Sequence, residues 1–112
     1  MAIPKSGFLA EFELYVMLSI ARLGGEAYGA AIRREIEGRT NRPVSIGAVY
    51  ATLGRLGDKN LLTSHTSDPL PVRGGRSRKF YNLTPEGEHA LRHSAAMLNR
   101  MMDGLDLQAK TG

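Results

Sequence analysis

The stretch Pro43-Val44-Ser45-Ile46-Gly47-Ala48-Val49-Tyr50-Ala51-Thr52-Leu53-Gly54-Arg55-Leu56 restricts what this 112-residue chain can fold into more than any other part of it. It reads as a helix with a marked start, a buried stripe and an outer face almost bare of side chains. Ser45 is a good N-cap, because its hydroxyl can accept a bond from an unpaired backbone N–H of the first turn. Val44 and Val49 have the spacing of a hydrophobic staple. Ile46, Val49, Leu53 and Leu56 recur at steps of three and four and predict one apolar stripe. The opposite side carries Gly47, Ala48, Ala51, Gly54, Arg55 and Asp58. Each exposed glycine costs helix propensity relative to alanine. Such a face lets something large and flat come close, and a nucleic-acid groove is one such object.

The segment before this helix predicts two more. From Phe8 to about Leu23 the chain is helical and apolar on much of its circumference, with only Glu11, Glu13, Ser19 and Arg22 as polar residues. A helix of that kind is buried by more than one neighbour. Residues 1–7, with Pro4 and Gly7, read as a short arm. Gly24-Gly25 ends the first helix. The second runs from about Ala27 to Glu37, with Tyr28, Ile32 and Ile36 on one stripe, and Gly38 is expected to stop it. Pro43 biases Arg42 toward extended backbone, so the second and third helices cannot merge. Two helices joined by a short turn, the second with a small outer face, form a helix-turn-helix arrangement.

After Asn60 the periodicity changes. Leu61–Thr66 and Arg78–Leu83 read as two strands. Between them lies a loop rich in proline, glycine and arginine, so the pair forms a hairpin with a long basic tip. Thr84-Pro85-Glu86 opens a last helix, with an N-cap, proline at the first position and an acid near the positive end. That helix is expected to reach Leu107. Leu91, Leu98 and Leu105 are seven apart, with Ala95, Met101 and Met102 between them, a heptad-like seam that a second copy of the chain would bury.

Charge concentrates in the middle. Net charge is +4 and the pI is about 9.8. Residues 33–79 hold ten basic side chains against four acidic ones, so the remainder is slightly acidic. This favours an anionic partner without identifying it. The absence of cysteine excludes disulfides, thiolate metal sites and thiol redox chemistry. No segment has the roughly 18 uninterrupted apolar residues of a membrane span. No signal-peptide core is visible, so a cytoplasmic location is expected. His89 and His93 are four apart with Glu86 one turn earlier, but they point away from the leucine seam and read as a solvated face; no metal or other cofactor is expected. The histidines have no obvious carboxylate or serine partner and there is no phosphate-cradling glycine motif, so the chain is not expected to be an enzyme.

Several local motifs, in this order of elements, resemble the PadR family of bacterial and archaeal transcriptional regulators. Tyr28-Gly29 matches the pair that opens the family's second helix. Ser45 to Leu56 matches its Ser-x-Gly-x-[aliphatic]-Tyr-x-x-Leu-x-[Arg/Lys]-Leu pattern. Gly75-Arg76-Ser77-Arg78-Lys79-Phe80-Tyr81-Asn82-Leu83-Thr84-Pro85-Glu86-Gly87 matches the end of its wing. The similarity covers about residues 8–91. The proline that often follows the third-helix tyrosine is replaced here by Ala51, the better helix former.

The resemblance implies an α+β, mostly α fold: a winged helix-turn-helix whose C-terminal helix packs against the partner subunit of a homodimer. Residues 1–84 would form the DNA-binding domain with its N-terminal helix, and 85–112 the dimerisation helix and tail. The single C-terminal helix is similar to the short subfamily, whose effectors bind at or near the dimer interface. The function so implied is a sequence-specific repressor on palindromic double-stranded DNA, released by a small hydrophobic effector. Two rivals are a winged-helix module working through protein contacts and a protein that sequesters effectors.

On this reading Gly47, Ala48 and Ala51 permit close approach to the major groove, and Thr52 and Arg55 reach for base edges. Ser45 and the free N–H groups beside it suit a phosphate. Tyr50, about 40° round the helix from Ile46, can pack its ring and offer its hydroxyl to a phosphate; a plain core tyrosine is the competing reading. Arg39 and Arg42 flank the helix start. Arg73, Arg76, Arg78 and Lys79 in the hairpin contact DNA, unless they are only a solubilising charge run. Phe8, Phe12, Leu91, Ala95, Leu98, Met101, Met102 and Leu105 are expected at the dimer interface. Phe8, Phe12, Tyr15, Met97 and Met101 would line an adaptable effector pocket.

Overall fold

The computed structural model describes residues 9–67 and 77–107. Among these, four helices and two strands follow in order: α1 (Glu11–Leu23), α2 (Gly29–Thr40), α3 (Ile46–Asp58), β1 (Leu62–Thr66), β2 (Lys79–Leu83) and α4 (Pro85–Met102), with a 3-10 turn at Gly24–Glu26. The expected arm at residues 1–7 and Phe8 lie outside the described residues. α1 begins at Glu11, where the Glu13 carboxylate accepts the Ala10 N–H at 2.9 Å and satisfies a donor that has no intrahelical partner. It ends at Gly24, whose φ of 57° is open to glycine.

α2 does not stop at Gly38. It continues to Thr40, and the residue that ends it is Asn41, with φ 56° and ψ 34° and its N–H on the Glu37 carbonyl. Two interactions carry the helix past the glycine: Arg39 Nε donates to Glu35 Oε1, and Thr40 Oγ1 donates to the Ile36 carbonyl. Asparagine tolerates the left-handed conformation, so it serves where glycine was expected to.

The core takes Val16, Met17 and Ile20 from α1, Ile32 and Ile36 from α2, and Val49, Leu53 and Leu56 from α3. Leu61, Leu62, Tyr81 and Ala90 close it from the hairpin and the start of α4. Full burial of each such aliphatic side chain contributes about 1.5–3 kcal/mol. β1 and β2 pair antiparallel from Leu62 opposite Leu83 to Thr66 opposite Lys79. A bridge between Tyr28 and Phe80, with Tyr81 N–H on the Ala27 carbonyl at 2.8 Å, adds a one-residue third strand. The hairpin is thereby stitched to the start of α2.

The turn into α4 is closed by Thr84, whose hydroxyl accepts from Gly87 N at 2.9 Å and donates to the Asn60 carbonyl at 2.8 Å. Any side chain at Gly87 would run into the Leu61 carbonyl. α4 ends at Met102 rather than Leu107: Asp103 turns extended (φ −57°, ψ 131°) and Gly104 has φ 82°. Leu105 therefore lies beyond the helix. Of the expected seam, Leu91 packs partly on this chain's own core, while Leu98 is half exposed.

Candidate nucleic-acid interface

The start of α3 is held from both sides. Ser45 is its N-cap, with Oγ accepting from Ala48 N at 3.1 Å. One residue earlier, Val44 N donates to Glu37 Oε2 at 2.9 Å, and the other oxygen of that carboxylate meets Arg33 at 3.5 Å. Glu37 thus ties the end of α2 to the entry of α3 and sets the turn between them. The Ser45 hydroxyl, already accepting, keeps its own proton free to donate outward.

Gly47, Ala48, Ala51 and Gly54 are all exposed, and nothing lies within 4 Å of where a side chain at Gly47 or Gly54 would begin. The bare face is real. The stripe behind it is turned from the expected one, however: Val49, Leu53 and Leu56 are buried, but Ile46 is 37% exposed and Thr52 only 1%. Val44, half-buried against the core, fills the place expected for Ile46, and the buried arc rotates toward Thr52. Thr52 therefore does not present itself to a base edge. Its Oγ1 accepts from Arg55 Nη2 at 2.9 Å and steers that exposed guanidinium along the helix instead.

Tyr50 is 51% exposed, and its ring lies over the start of α2. A Cβ at Gly29 would sit 2.5 Å from the Tyr50 hydroxyl. The glycine of the Tyr28-Gly29 pair thus leaves the room taken by a tyrosine twenty-one residues later, and two separate sequence motifs pack against each other. Tyr28 continues this surface toward the hairpin. Its ring meets Phe80 edge-on at 5.8 Å and carries the Arg78 guanidinium at 4.4 Å. Lys79 lies over Tyr81, its Nζ 5.8 Å from the ring centroid. Arg73 and Arg76 lie outside the described residues.

Arg39 and Arg42 differ. Arg39 is occupied by Glu35, whereas Arg42 is exposed and has no ion pair among the described residues. The far end of α3 is anchored by a pair sequence reading did not single out. Glu13, 5% exposed, receives Lys59 Nζ at 3.1 Å. Burial pushes the Glu13 carboxyl up, but the Ala10 N–H, the Lys59 ammonium and the charge of Arg55 outweigh it and hold it below the usual value. The partners are forty-six positions apart, so no local pattern marks them.

The family model described as the transcriptional regulator PadR-like family matches residues 17–93. The chain belongs to the PadR-like family of transcriptional regulators. It is similar to a PadR family transcription regulator from Clostridium difficile R20291 at 26% identity and TM-score 0.67, covering 84% of this chain and 96% of that one. It is likewise similar to a PadR family transcriptional regulator from Eggerthella lenta, at 29% identity and TM-score 0.63, covering 84% and 83%. No curated protein sequence matches it.

In this PadR-like chain the residues expected at a dimer interface are mostly exposed along and beyond α4, whereas Phe12 on α1 packs partly against the core. Leu91 is half-buried and Ala95 exposed, while Leu98, Met101, Met102 and Leu105 are 50%, 77%, 42% and 61% exposed. Of the expected effector set, Phe8 lies outside the described residues, and Met97 and Met101 do not line the cavity that Phe12 and Tyr15 share. Phe12 and Tyr15 line a cavity of about 290 Å³ with Ile36, Arg42, Val44 and Ala48, on the α3 side. The cleft between α1 and α4, about 490 Å³, is lined instead by Ile20, Leu83 and Leu91 together with the polar Asn82, Glu88 and Arg92. The helical periodicity of α1 explains the split: Phe12 and Tyr15 share a side that faces α2 and α3, and α4 crosses further along. His89 and His93 stack at 6.4 Å on α4.

Proposed function

We propose that the chain is a homodimeric, sequence-specific DNA-binding repressor that docks the bare face of α3 into the major groove of a palindromic operator. The observation that carries this reading is the exposed Gly47–Ala48–Ala51–Gly54 face, flanked by Arg42 and Arg55 with no carboxylate paired to either among the described residues. Small residues supply proximity, arginines supply phosphate neutralisation and base contacts, and the Ser45 hydroxyl donates to the backbone. Arg78 and Lys79 extend the cationic surface onto the hairpin. The exposed apolar side of distal α4 supports a two-fold partner, which would set two α3 helices about one helical turn apart.

The α1–α4 cleft supports a seat for a small apolar effector. A ligand there would act on the angle of α4 and hence on the spacing of the two reading heads, by binding one spacing more tightly than the other. Selection of genomic fragments bound by the purified protein tests the reading. Enrichment of fragments sharing an inverted repeat is expected. Recovery of no specific fragment would leave the winged-helix fold working through protein contacts.

A further inference from the structure

Tyr28 stands between two arginines. Arg34 Nη2 donates to its hydroxyl at 2.8 Å, with the guanidinium carbon 5.7 Å from the ring centroid, and Arg78 stacks on the same ring at 4.4 Å. One arginine comes from α2 and the other from the base of the hairpin. An aromatic face attracts a guanidinium, and Arg keeps its planar fork free to bond while it stacks. Two like charges held on one ring repel each other, and the usual remedy is a carboxylate. Neighbouring basic groups have one: Arg33 meets Glu37, Arg39 meets Glu35 and Lys59 meets Glu13. Among the described residues Arg34 and Arg78 form no salt bridge.

From this juxtaposition we infer that Arg34, Arg78 and the Tyr28 hydroxyl form a clamp for a backbone phosphate of duplex DNA, outside the segment read by α3. The inference rests on the proposed DNA-binding role, which already includes Arg78, and adds to it Arg34 and the Tyr28 hydroxyl. The clamp joins the start of α2 to the base of the hairpin, the two places that the Tyr28–Phe80 bridge links. Phe80 braces Tyr28 edge-on, so the ring, and with it the distance between α2 and the hairpin, is preset before DNA arrives. A phosphate here would fix the register of the protein on the duplex and carry no sequence information.

The test is fluorescence anisotropy on a selected duplex across a salt series. Each phosphate neutralised contributes about 0.9 to the slope of log K against log salt. Arg34→Gln/Arg78→Gln should lower that slope by about 0.9, for one phosphate, and weaken all operator variants to a similar degree. Arg33→Gln, on the same helix but paired to Glu37, should leave the slope unchanged. Arg78→Lys keeps the charge and should restore most of the slope. An unchanged slope in the double variant, with wild-type thermal unfolding, overturns the clamp while leaving the DNA-binding reading intact. Absence of salt-dependent duplex binding by the wild type would overturn both. Saturable binding of inorganic phosphate by the free protein, lost in the double variant while the duplex slope stays the same, would make the pair a free-anion site and overturn the assignment to DNA.

Discussion

α3 and the distal half of α4 are both amphipathic helices, but they leave opposite things uncovered. α3 turns Val49, Leu53 and Leu56 fully into the core and shows solvent glycine and alanine. Distal α4 shows solvent its large apolar residues, Leu98, Met101 and Met102, which nothing covers among the described residues. A bare face suits the close approach of a rigid polar object, and an exposed apolar face suits another apolar face. On the proposed reading the two helices meet two different partners, duplex DNA and a second copy of the chain.

The largest effect that would sharpen this contrast is on stability. Leu56→Ala should cost about 2–5 kcal/mol in urea unfolding, since it opens a cavity in a packed core. Leu98→Ala should change the midpoint only through the dimer, so its cost should vanish as protein is diluted. A dilution-independent loss of the same size in Leu98→Ala would erase the distinction. Gly87→Ala should cost about 1–3 kcal/mol, because the added methyl meets backbone at Leu61 rather than a side chain that can swing aside.

Lys59→Met should be comparable or smaller, about 1–3 kcal/mol, as it leaves the buried Glu13 carboxylate without its cation. The pH dependence gives the sign. The folded-state pKa of Glu13 is lowered, so its contribution is present above the ordinary carboxylate range and is lost as pH falls through the folded value. Thermal unfolding followed from neutral pH into acid should show a shallower decline in Lys59→Met than in wild type. Smallest of all, Gly54→Ala should stabilise α3 by about 0.5–1 kcal/mol, since the space beside it is open. Destabilisation there would mean that the face is packed after all.

Much of the frame was legible in the residue order. The Ser45 cap, the Thr84 cap and the glycine stop of α1 are short-range signals satisfied by atoms a few positions away, and both strands are marked to within one residue by their own local alternation. What was not legible depends on distant neighbours. Thr52 is buried and Ile46 partly exposed, while Val44, held by Glu37 through its N–H, packs against the core just before α3. α2 outruns Gly38 because its side chains bond across the last turn and Asn41 takes the left-handed end. Glu13 and Ser19, two of the few polar residues of α1, are both buried; Ser19 is satisfied within the helix by the Tyr15 carbonyl, whereas the Glu13 partner, Lys59, is one that only the fold supplies. The clamp around Tyr28 was half visible as a Tyr-Gly motif, yet its reason lies in Tyr50 and Arg78.

The central claim is that the bare face of α3 is where duplex DNA docks. It is tested most directly by filling that face without disturbing the core. Ala51→Glu places a bulky anion at an exposed position, so unfolding should be close to wild type. Anisotropy on the selected operator at moderate salt should then show affinity reduced by about 100-fold or more, equivalent to about 2.8 kcal/mol. An affinity within about twofold of wild type, about 0.4 kcal/mol, would contradict the account.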